Sequence, residues 1–288
     1  MDRDRPLRSH LPPGLVAAAP LPQLAARGHR PVQESQSRLA LHAYLEWGAA
    51  FVERLQGSFA FAVWDARAEE LLLGRDRMGL TPLYYAPVDG GVLFGSESKA
   101  ILATGAVPAE VDAEGMLEIL TYAGSPEHAV YRGIRKVRAG SVVRVDRTGT
   151  RARQYWRLEY RDHTDDRAAT VSTVRELLTA AVRDQTGHPG PVSSLLSGGL
   201  DSSAMVCLAA GLDSRRPQRT YTVTFSDYDR YFRPNPVRPA PDTRFVHDVA
   251  ERAGAEHTTV VLDTPSCSTR SYGSPRCGPA TSPAPSGT

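Results

Sequence analysis

The sequence predicts two folded regions of different class: an α+β domain with antiparallel strands, followed by an α/β domain with a parallel sheet. Between residues 38 and 160, short apolar runs are separated by turn-forming stretches such as "DARAEE" and "VDGG", which is typical of hairpins. Between residues 168 and 263, strands alternate with helical segments instead. That alternation is typical of right-handed βαβ units, so the sheet there should be parallel.

Composition sets the general class of the protein. The chain has 288 residues, is 41% hydrophobic and 23% charged, and carries a net charge of +2, values typical of a globular protein. A charge this balanced argues against a nucleic-acid or membrane partner. The three cysteines (Cys207, Cys267 and Cys277) have no metal-binding spacing and favour a reducing compartment. No apolar run reaches the roughly 20 residues of a membrane helix, and we expect a cytoplasmic protein.

Apolar periodicity predicts the elements of the first domain. They are, in order, two helices divided at Gly48, strands at 59–64, 71–75, 83–87 and 92–95, helical stretches in "ESKAILA" and "DAEGMLEILTY", and a hairpin that turns at 146–149.

The second domain opens with an amphipathic helix whose predicted apolar face consists of Val171, Val174, Leu178, Ala181 and Val182. The strand "PVSSLL", a helix from about Ser202 to Ala210 and the strand "RTYTVTF" follow. A helix in "DTRFVHDVAERAGA", with an Asp242 cap and a Gly254 stop, then precedes the strand "HTTVVLD".

Both ends of the chain have a different texture. Residues 1–37 contain six prolines and no sustained period, and residues 264–288 are dominated by Ser, Thr, Pro and Gly. We expect both segments to be irregular or disordered. The abrupt changes near Leu39 and Thr264 also lead us to expect that the two ends derive from frameshifted reading of the gene.

The stretch "SSLLSGGLDSSAMV" (193–206) joins a predicted strand to a predicted helix. Glycines let backbone amides approach a ligand closely, and a helix start presents unpaired N–H groups. A plain turn with a helix cap would need fewer of these residues. The combination of Ser, Gly-Gly, Asp and Ser-Ser within a βαβ unit therefore favours a phosphate site, with Asp201 as the candidate Mg²⁺ ligand.

No lysine follows these glycines, so the loop is not a Walker loop. It resembles the SGGxDS loop of the ATP pyrophosphatases. The resemblance implies that the loop holds the β- and γ-phosphates of ATP while AMP is transferred and pyrophosphate leaves.

The wider sequence resembles the glutamine-hydrolysing asparagine synthetases. "RLQGSFAFAVWD", "RDRMGLTPLYY", "FGSESKAIL", "IRKVRAGSVVRV" and "YWRL" resemble the glutaminase domain of that family, and "LLSGGLDSS", "TYTVTF" and "DTRFVHDVAERAGAEH" resemble its synthetase domain. The resemblance covers residues 38–263. It implies an incomplete N-terminal-nucleophile glutaminase-like domain (38–160) and an incomplete ATP-pyrophosphatase domain, similar to adenine nucleotide α-hydrolases, at 168–263.

The resemblance also implies site residues. Leu196 and Val223 take the positions that contact the adenine end of ATP, and Asp201 takes that of the Mg²⁺ ligand. The positions around the pyrophosphate are Ser197, Gly198, Gly199, Ser202 and Ser203.

The sequence departs from the family at four points. Residue 2 is Asp2 where the family has its nucleophilic cysteine, and the first cysteine is Cys207, so no catalytic glutaminase residue is intact. Gln36 stands where the family has the aspartate that pairs with the ammonium group of glutamine, and the asparagine–glycine–glutamate motif has no counterpart. The second glycine–acid loop of the synthetase domain is also absent.

The implied activity is ATP-dependent amidation of aspartate through an aspartyl-adenylate, with ammonia from glutamine. ATP and Mg²⁺ are the implied cofactors, and aspartate, ATP and glutamine or ammonia are the implied small-molecule partners, with a homodimer as the candidate quaternary state. Two alternatives stay open: another amidotransferase of the ATP-pyrophosphatase group, similar to a β-lactam synthetase, and a truncated fragment without catalytic activity.

Overall fold

The computed structural model of the chain describes residues 7–10, 21–29, 36–187, 192–212, 217–236 and 240–262. The chain divides into two units, Met1–Arg161 and Asp162–Thr288. No helix in these described ranges is both long enough and apolar enough to cross a membrane.

The first unit contains two antiparallel sheets. Its strands are β1 (Leu7–His10), β2 (Ala60–Asp65), β3 (Glu70–Arg75), β4 (Tyr84–Val88), β5 (Gly91–Gly95), β6 (Arg135–Lys136), β7 (Ser141–Asp146) and β8 (Gly149–Gln154). The larger sheet has the order β1-β2-β3-β7-β8 and the smaller has the order β5-β4-β6. The four strands predicted between 59 and 95 are confirmed to within one residue at each end, and so is the hairpin that turns between β7 and β8.

The described part of the first unit also contains five helical segments. They are α1 (Leu21–Ala26), α2 (Gln36–Trp47), a 3₁₀ helix (Gly48–Arg54), α3 (Ser98–Leu102) and α4 (Ala113–Thr121). Phe51, Phe59 and Phe61 pack between α2, the 3₁₀ helix and the larger sheet. Ala62, Leu73 and their neighbours on the opposite face of β2 and β3 pack with Leu83 and Tyr85 at β4. Because the larger sheet is buried on both faces, its central strands read as continuous apolar runs in the sequence.

The segment 1–37 is more regular than its sequence predicts. Leu7–His10 forms strand β1 along β2, and Leu21–Ala26 forms helix α1, whose Leu24 is fully buried. Pro22 does not prevent this helix because a proline in the first helical turn removes only an N–H that has no partner in the helix. The prediction of disorder is therefore wrong for these two elements, and the similar prediction for 264–288 lies outside the described residues.

Asp76 organises the turn that follows β3. Asp76 is only 1% exposed. Its two carboxylate oxygens accept hydrogen bonds from four backbone N–H groups at 3.0–3.2 Å, those of Phe59, Met78, Leu80 and Thr81. A buried carboxylate is tolerated only when its lone pairs are satisfied. The backbone of this turn therefore closes around the Asp76 side chain.

The neighbouring Arg75 extends this arrangement to a second loop. Its guanidinium group donates to the backbone carbonyl oxygens of Gly79 (2.6 Å), Thr81 (2.9 Å) and Val137 (2.9 Å). The backbone oxygen of Arg75 in turn accepts the hydroxyl hydrogen of Tyr155 at 2.8 Å. Arg75 and Asp76 thus connect β3 to the loop before β4 and to the segments around β7 and β8.

The second unit contains a three-stranded parallel sheet in the order β11-β10-β9. Its elements are α5 (Arg167–Thr186), β9 (Ser193–Leu195), α6 (Leu200–Leu212), β10 (Arg219–Phe225), α7 (Tyr228–Tyr231), a 3₁₀ turn (Asp242–Phe245), α8 (Val246–Arg252) and β11 (Glu256–Leu262). On one face of this sheet, Leu196 packs with Val206 of α6 and with Val246 and Ala250 of α8. The predicted alternation of parallel strands and helices is present.

The other face of the sheet is exposed. The side chains of Leu195, Val223, Phe225, Val260 and Leu262 are 38–74% exposed. In the predicted apolar face of helix α5, Val182 is buried, while Val171, Val174 and Leu178 are 40–51% exposed. Within the described residues, most of this face is therefore not covered by another element.

We expect Asp76→Ala to lower the free energy of unfolding of the first unit by more than about 3 kcal/mol. The substitution leaves four backbone N–H groups without their acceptor, and each such loss costs roughly 1–3 kcal/mol. Denaturant unfolding followed by tryptophan fluorescence measures this, since Trp47, Trp64 and Trp156 all lie in Met1–Arg161. Asp89→Ala is the control, because Asp89 is exposed in the β4–β5 turn. Equal stabilities of the two variants would contradict the role given to Asp76.

Glu118 of α4 should contribute a pH-dependent part of this stability. Burial raises the pKa of Glu118, but hydrogen bonds from Lys136 Nζ (2.9 Å) and from the backbone N–H of Ser125 (2.6 Å) outweigh it and hold the pKa below its ordinary value of 4.5. A lowered carboxyl pKa stabilises the fold above the unfolded-state pKa, and this contribution is lost as the pH falls through the folded-state pKa.

We therefore expect Glu118→Gln to be less stable than the parent chain at pH 7 and the difference to shrink below about pH 4.5. Denaturant unfolding at a series of pH values measures it. Glu127→Gln is the matched control, since Glu127 is exposed and its carboxylate, 3.7 Å from Arg138, is too far away for a hydrogen bond. A difference for Glu118→Gln that stays constant with pH would be inconsistent with this assignment.

Candidate functional site

The candidate site begins where β9 ends at the glycine loop. Leu196 is 1% exposed and packs against α6 and α8. Its backbone N–H donates to the carbonyl oxygen of Tyr221 at 2.8 Å, and its own carbonyl oxygen accepts the hydroxyl of Thr222. Both bonds tie the end of β9 to β10, so the loop 197–199 starts from a fixed point.

Gly198 is pressed against the 3₁₀ turn that begins at Asp242. Its φ is +82°, and a Cβ atom added there would lie 2.0 Å from the carbonyl oxygen of Asp242. A side chain is excluded twice, by the left-handed backbone and by the contact. A Cβ on Gly199 would lie 3.8 Å from the carboxylate of Asp242. The two glycines thus allow the loop to lie directly on the main chain of the turn.

Three serine hydroxyls surround this loop. Ser197 Oγ and Ser202 Oγ lie 2.9 Å apart, and Ser202 Oγ also accepts from the backbone N–H of Ser197 at 3.2 Å. Ser202 and Ser203 donate to the carbonyl oxygen of Gly199 at 3.2 and 2.7 Å. Helix α6 starts at Leu200, so both serines lie in its first turn, slightly earlier than the predicted start near Ser202. The hydroxyls and the first N–H groups of α6 are therefore at one end of the helix.

Asp201 is exposed in the first turn of α6. Within the described ranges, no group of three or more His, Cys, Asp or Glu side chains is arranged to hold a metal ion by itself.

The side chains of Leu196 and Val223, the two residues expected at the adenine end, lie on opposite faces of the sheet. Leu196 is buried on the α6 and α8 side of the sheet, whereas Val223 is 52% exposed. Thr222, the neighbour of Val223, lines a cavity with Val246 of α8, and successive residues of a strand point to opposite faces. Val223 therefore belongs to the exposed face of the sheet.

Sequence reasoning missed the part played by the turn at Asp242–Phe245. Asp242 was expected as a helix cap. The structure places it at the start of the 3₁₀ turn, with its carbonyl oxygen against Gly198. A cavity of about 460 Å³ adjoins this turn and is lined by Thr222, Thr243, Arg244 and His247, among others. The available signal was that "PDTRF" follows a parallel strand and precedes a helix, a position where such turns contact ligands.

Two of the positions where the first unit departs from the family are Asp2 and Gln36. Asp2 lies outside the described residues, and Gln36 is the first residue of α2.

Comparison with known proteins shows which families the chain is similar to. Residues 21–156 match the glutamine amidotransferase domain family, and residues 173–268 match the asparagine synthase family. The chain is 37% identical over 245 residues to asparagine synthetase [glutamine-hydrolyzing] 3 of Bacillus subtilis. The chain is related to the glutamine-hydrolysing asparagine synthetases. The glycine loop and the turn at Asp242 both lie in the part that matches asparagine synthase.

The alignments cover only part of each relative. The match to asparagine synthetase 3 includes 83% of this chain and 40% of that protein. Asparagine synthetase [glutamine-hydrolyzing] 1 of the same organism is 28% identical over 65% of this chain and 30% of its own length. The amidase chyE of Penicillium rubens is 33% identical over 63% of this chain and 27% of its own length. The chain thus spans less than half the length of these curated relatives.

A solved glutamine phosphoribosylpyrophosphate amidotransferase from B. subtilis is also similar, at 14% identity and a TM-score of 0.41 over 91% of this chain and 62% of that one.

We expect Gly198→Ala to destabilise the second unit by about 2 kcal/mol or more, because the added methyl group meets both a left-handed φ and the Asp242 carbonyl oxygen. Far-UV circular dichroism during denaturant unfolding, with hydrogen exchange across 193–203, measures the effect. Gly211→Ala is the matched control: nothing lies within 4 Å of its added Cβ and it is in α6, so it should be neutral or slightly stabilising. Unchanged exchange at 193–203 in Gly198→Ala would argue against a close contact there.

Proposed function

We propose that the chain is a partial homologue of the asparagine synthetases, in which aspartate attacks ATP to give an aspartyl-adenylate and ammonia released from glutamine displaces AMP, and that this chain itself lacks glutaminase activity and a complete synthetase site. The observation that supports this most directly is the glycine loop packed on the Asp242 main chain, within the part related to asparagine synthase. On this proposal, residues 168–263 form the ATP-binding part and residues 38–160 a glutaminase-like part.

In the proposed site, the N–H groups at the start of α6 and the hydroxyls of Ser197, Ser202 and Ser203 donate to the β- and γ-phosphate oxygens. Gly198 and Gly199 let the loop backbone approach those oxygens, since neither carries a side chain in the way. Asp201 holds Mg²⁺, which would neutralise phosphate charge and stabilise the leaving pyrophosphate. Leu196 anchors the loop at the end of β9. The resemblance gives Val223 to the adenine end as well, although its side chain lies on the exposed face of the sheet, opposite Leu196.

The serine hydroxyls have to exchange partners for this binding. Ser202 and Ser203 donate to the Gly199 carbonyl oxygen in the structure, and a rotation of each hydroxyl would direct the same hydrogen to a phosphate oxygen. Because a phosphate oxygen is charged, the new hydrogen bonds are stronger than the ones they replace.

We expect Asp201→Ala to weaken Mg-ATP binding by roughly ten- to a hundredfold, the equivalent of one charge-assisted contact of about 1.5–3 kcal/mol. Isothermal titration calorimetry measures it. Ser226→Ala is the control, because Ser226 is an exposed residue after β10 whose side chain has no role in the proposed loop. The proposal fails if both variants bind Mg-ATP as tightly as the parent chain.

We also expect no thiol-dependent hydrolysis of glutamine by this chain. No cysteine precedes Cys207, so the first unit contains no thiol that could attack the glutamine amide. Glutamate release from glutamine, with and without a glutamine analogue that traps thiols, measures this activity. Release that the analogue abolishes would refute the expectation.

A further inference from the structure

A second cavity, in the first unit, has a strongly basic lining. It has a volume of about 740 Å³, and the five basic residues that line it are Arg75, Arg77, Lys136, Arg138 and Arg157. No carboxylate is among the described residues that line it. Trp156 forms part of the same wall, and all of these residues lie within Met1–Arg161.

The positive charges of this cavity are only partly compensated. Glu118 pairs with Lys136 at 2.9 Å, Glu127 lies 3.7 Å from Arg138, and the buried Asp76 interacts electrostatically with Arg75. Arg77 donates to the backbone oxygen of Glu53 at 3.1 Å, an uncharged partner.

Arg157 is exposed, and within the described residues it makes no hydrogen bond or ion pair. Two guanidinium charges, those of Arg77 and Arg157, are therefore left without a carboxylate. Like charges that share one cavity repel each other, and this repulsion is relieved when an anion binds between them.

Two of the basic groups are fixed in place by the fold. Arg75 is held by three carbonyl oxygens, and a Cβ on Gly79 would lie 3.2 Å from its guanidinium carbon. Lys136 is held by Glu118, and a Cβ on Gly124 would lie 2.9 Å from its Nζ atom. Groups that are already positioned lose little conformational freedom when they bind a ligand.

We propose that this cavity binds an anion with two or more negative charges of the phosphate or pyrophosphate class. Arg77 and Arg157 provide the uncompensated charge, Lys136 and Arg138 add donors, and Trp156 forms an apolar wall. The site uses no residue of the glycine loop. The proposal therefore goes beyond the proposed function, and it can be tested independently of ATP binding.

Tryptophan fluorescence tests the proposal, because the three tryptophans of the chain are all in the first unit and pyrophosphate bound at the glycine loop has no tryptophan in its own unit. We expect inorganic pyrophosphate to change the emission saturably, with tighter binding than inorganic phosphate, and Trp156→Phe to remove the change. AMP is a third probe, and tighter binding of AMP than of phosphate would show that the apolar wall contacts a base.

Charge variants then identify the residues. We expect the double variant Arg77→Gln/Arg157→Gln to weaken pyrophosphate binding at least tenfold, and Arg132→Gln, which removes an exposed arginine paired with Glu110 outside the cavity, to change it less than twofold. Asp201→Ala should leave this signal unchanged, which separates the cavity from the proposed ATP loop. Matched thermal midpoints for the variants confirm that each is folded.

Three results would overturn the proposal: no saturable signal with pyrophosphate up to roughly millimolar concentration, a signal that survives in Trp156→Phe, or equal affinities for the double variant and Arg132→Gln. A glutamate-rich peptide that binds where pyrophosphate does not would overturn it in favour of a protein partner.

Discussion

The buried carboxylate of Asp76 is the constraint around which the first unit is arranged. An ionised group in this position, 1% exposed, is stable only if its oxygens are fully hydrogen bonded, and four backbone N–H groups provide those bonds. The loop 77–81 must then turn back on itself, which fixes where β4 begins. Arg75 repeats the arrangement with opposite polarity, since its guanidinium group is held by carbonyl oxygens of the same loop and of Val137. Burial raises the pKa of Tyr155, so its neutral phenol donates to the Arg75 backbone across the sheet.

The regular elements could be read from the sequence because their signals are local. Alternation and turn residues located β2 to β5 and the β7–β8 hairpin within a residue or so, and Gly48 marked the end of α2. The glycine loop was recognisable for the same reason, since a strand, two glycines and a helix start are adjacent in the chain. Gly254, with φ of +59°, ends α8 as predicted because a left-handed glycine is itself a local signal.

The remainder depends on contacts between residues distant in sequence. Asp76 reads as an ordinary turn residue, and no local pattern reveals that Phe59 shares its carboxylate. Asp242 has the sequence features of a helix cap, yet its carbonyl oxygen faces Gly198. Helix α1 was missed because prolines dominate its surroundings, although Leu24 is fully buried against α2 and the larger sheet. The apolar periodicity of α5 correctly predicts a helix, but periodicity alone does not show whether another element packs against the apolar face.

The contact between Gly198 and Asp242 also bears on the order in which the second unit acquires its shape. The glycine loop lies early in this unit, whereas the turn that supports it comes only after β10. Contacts between distant positions require a large loop of chain to close first, which makes them slow relative to helix or hairpin formation. During synthesis from the N-terminus, α6 can form as soon as its residues are available. The loop in front of it stays without its support until the chain has been extended past Asp242 and the turn has docked.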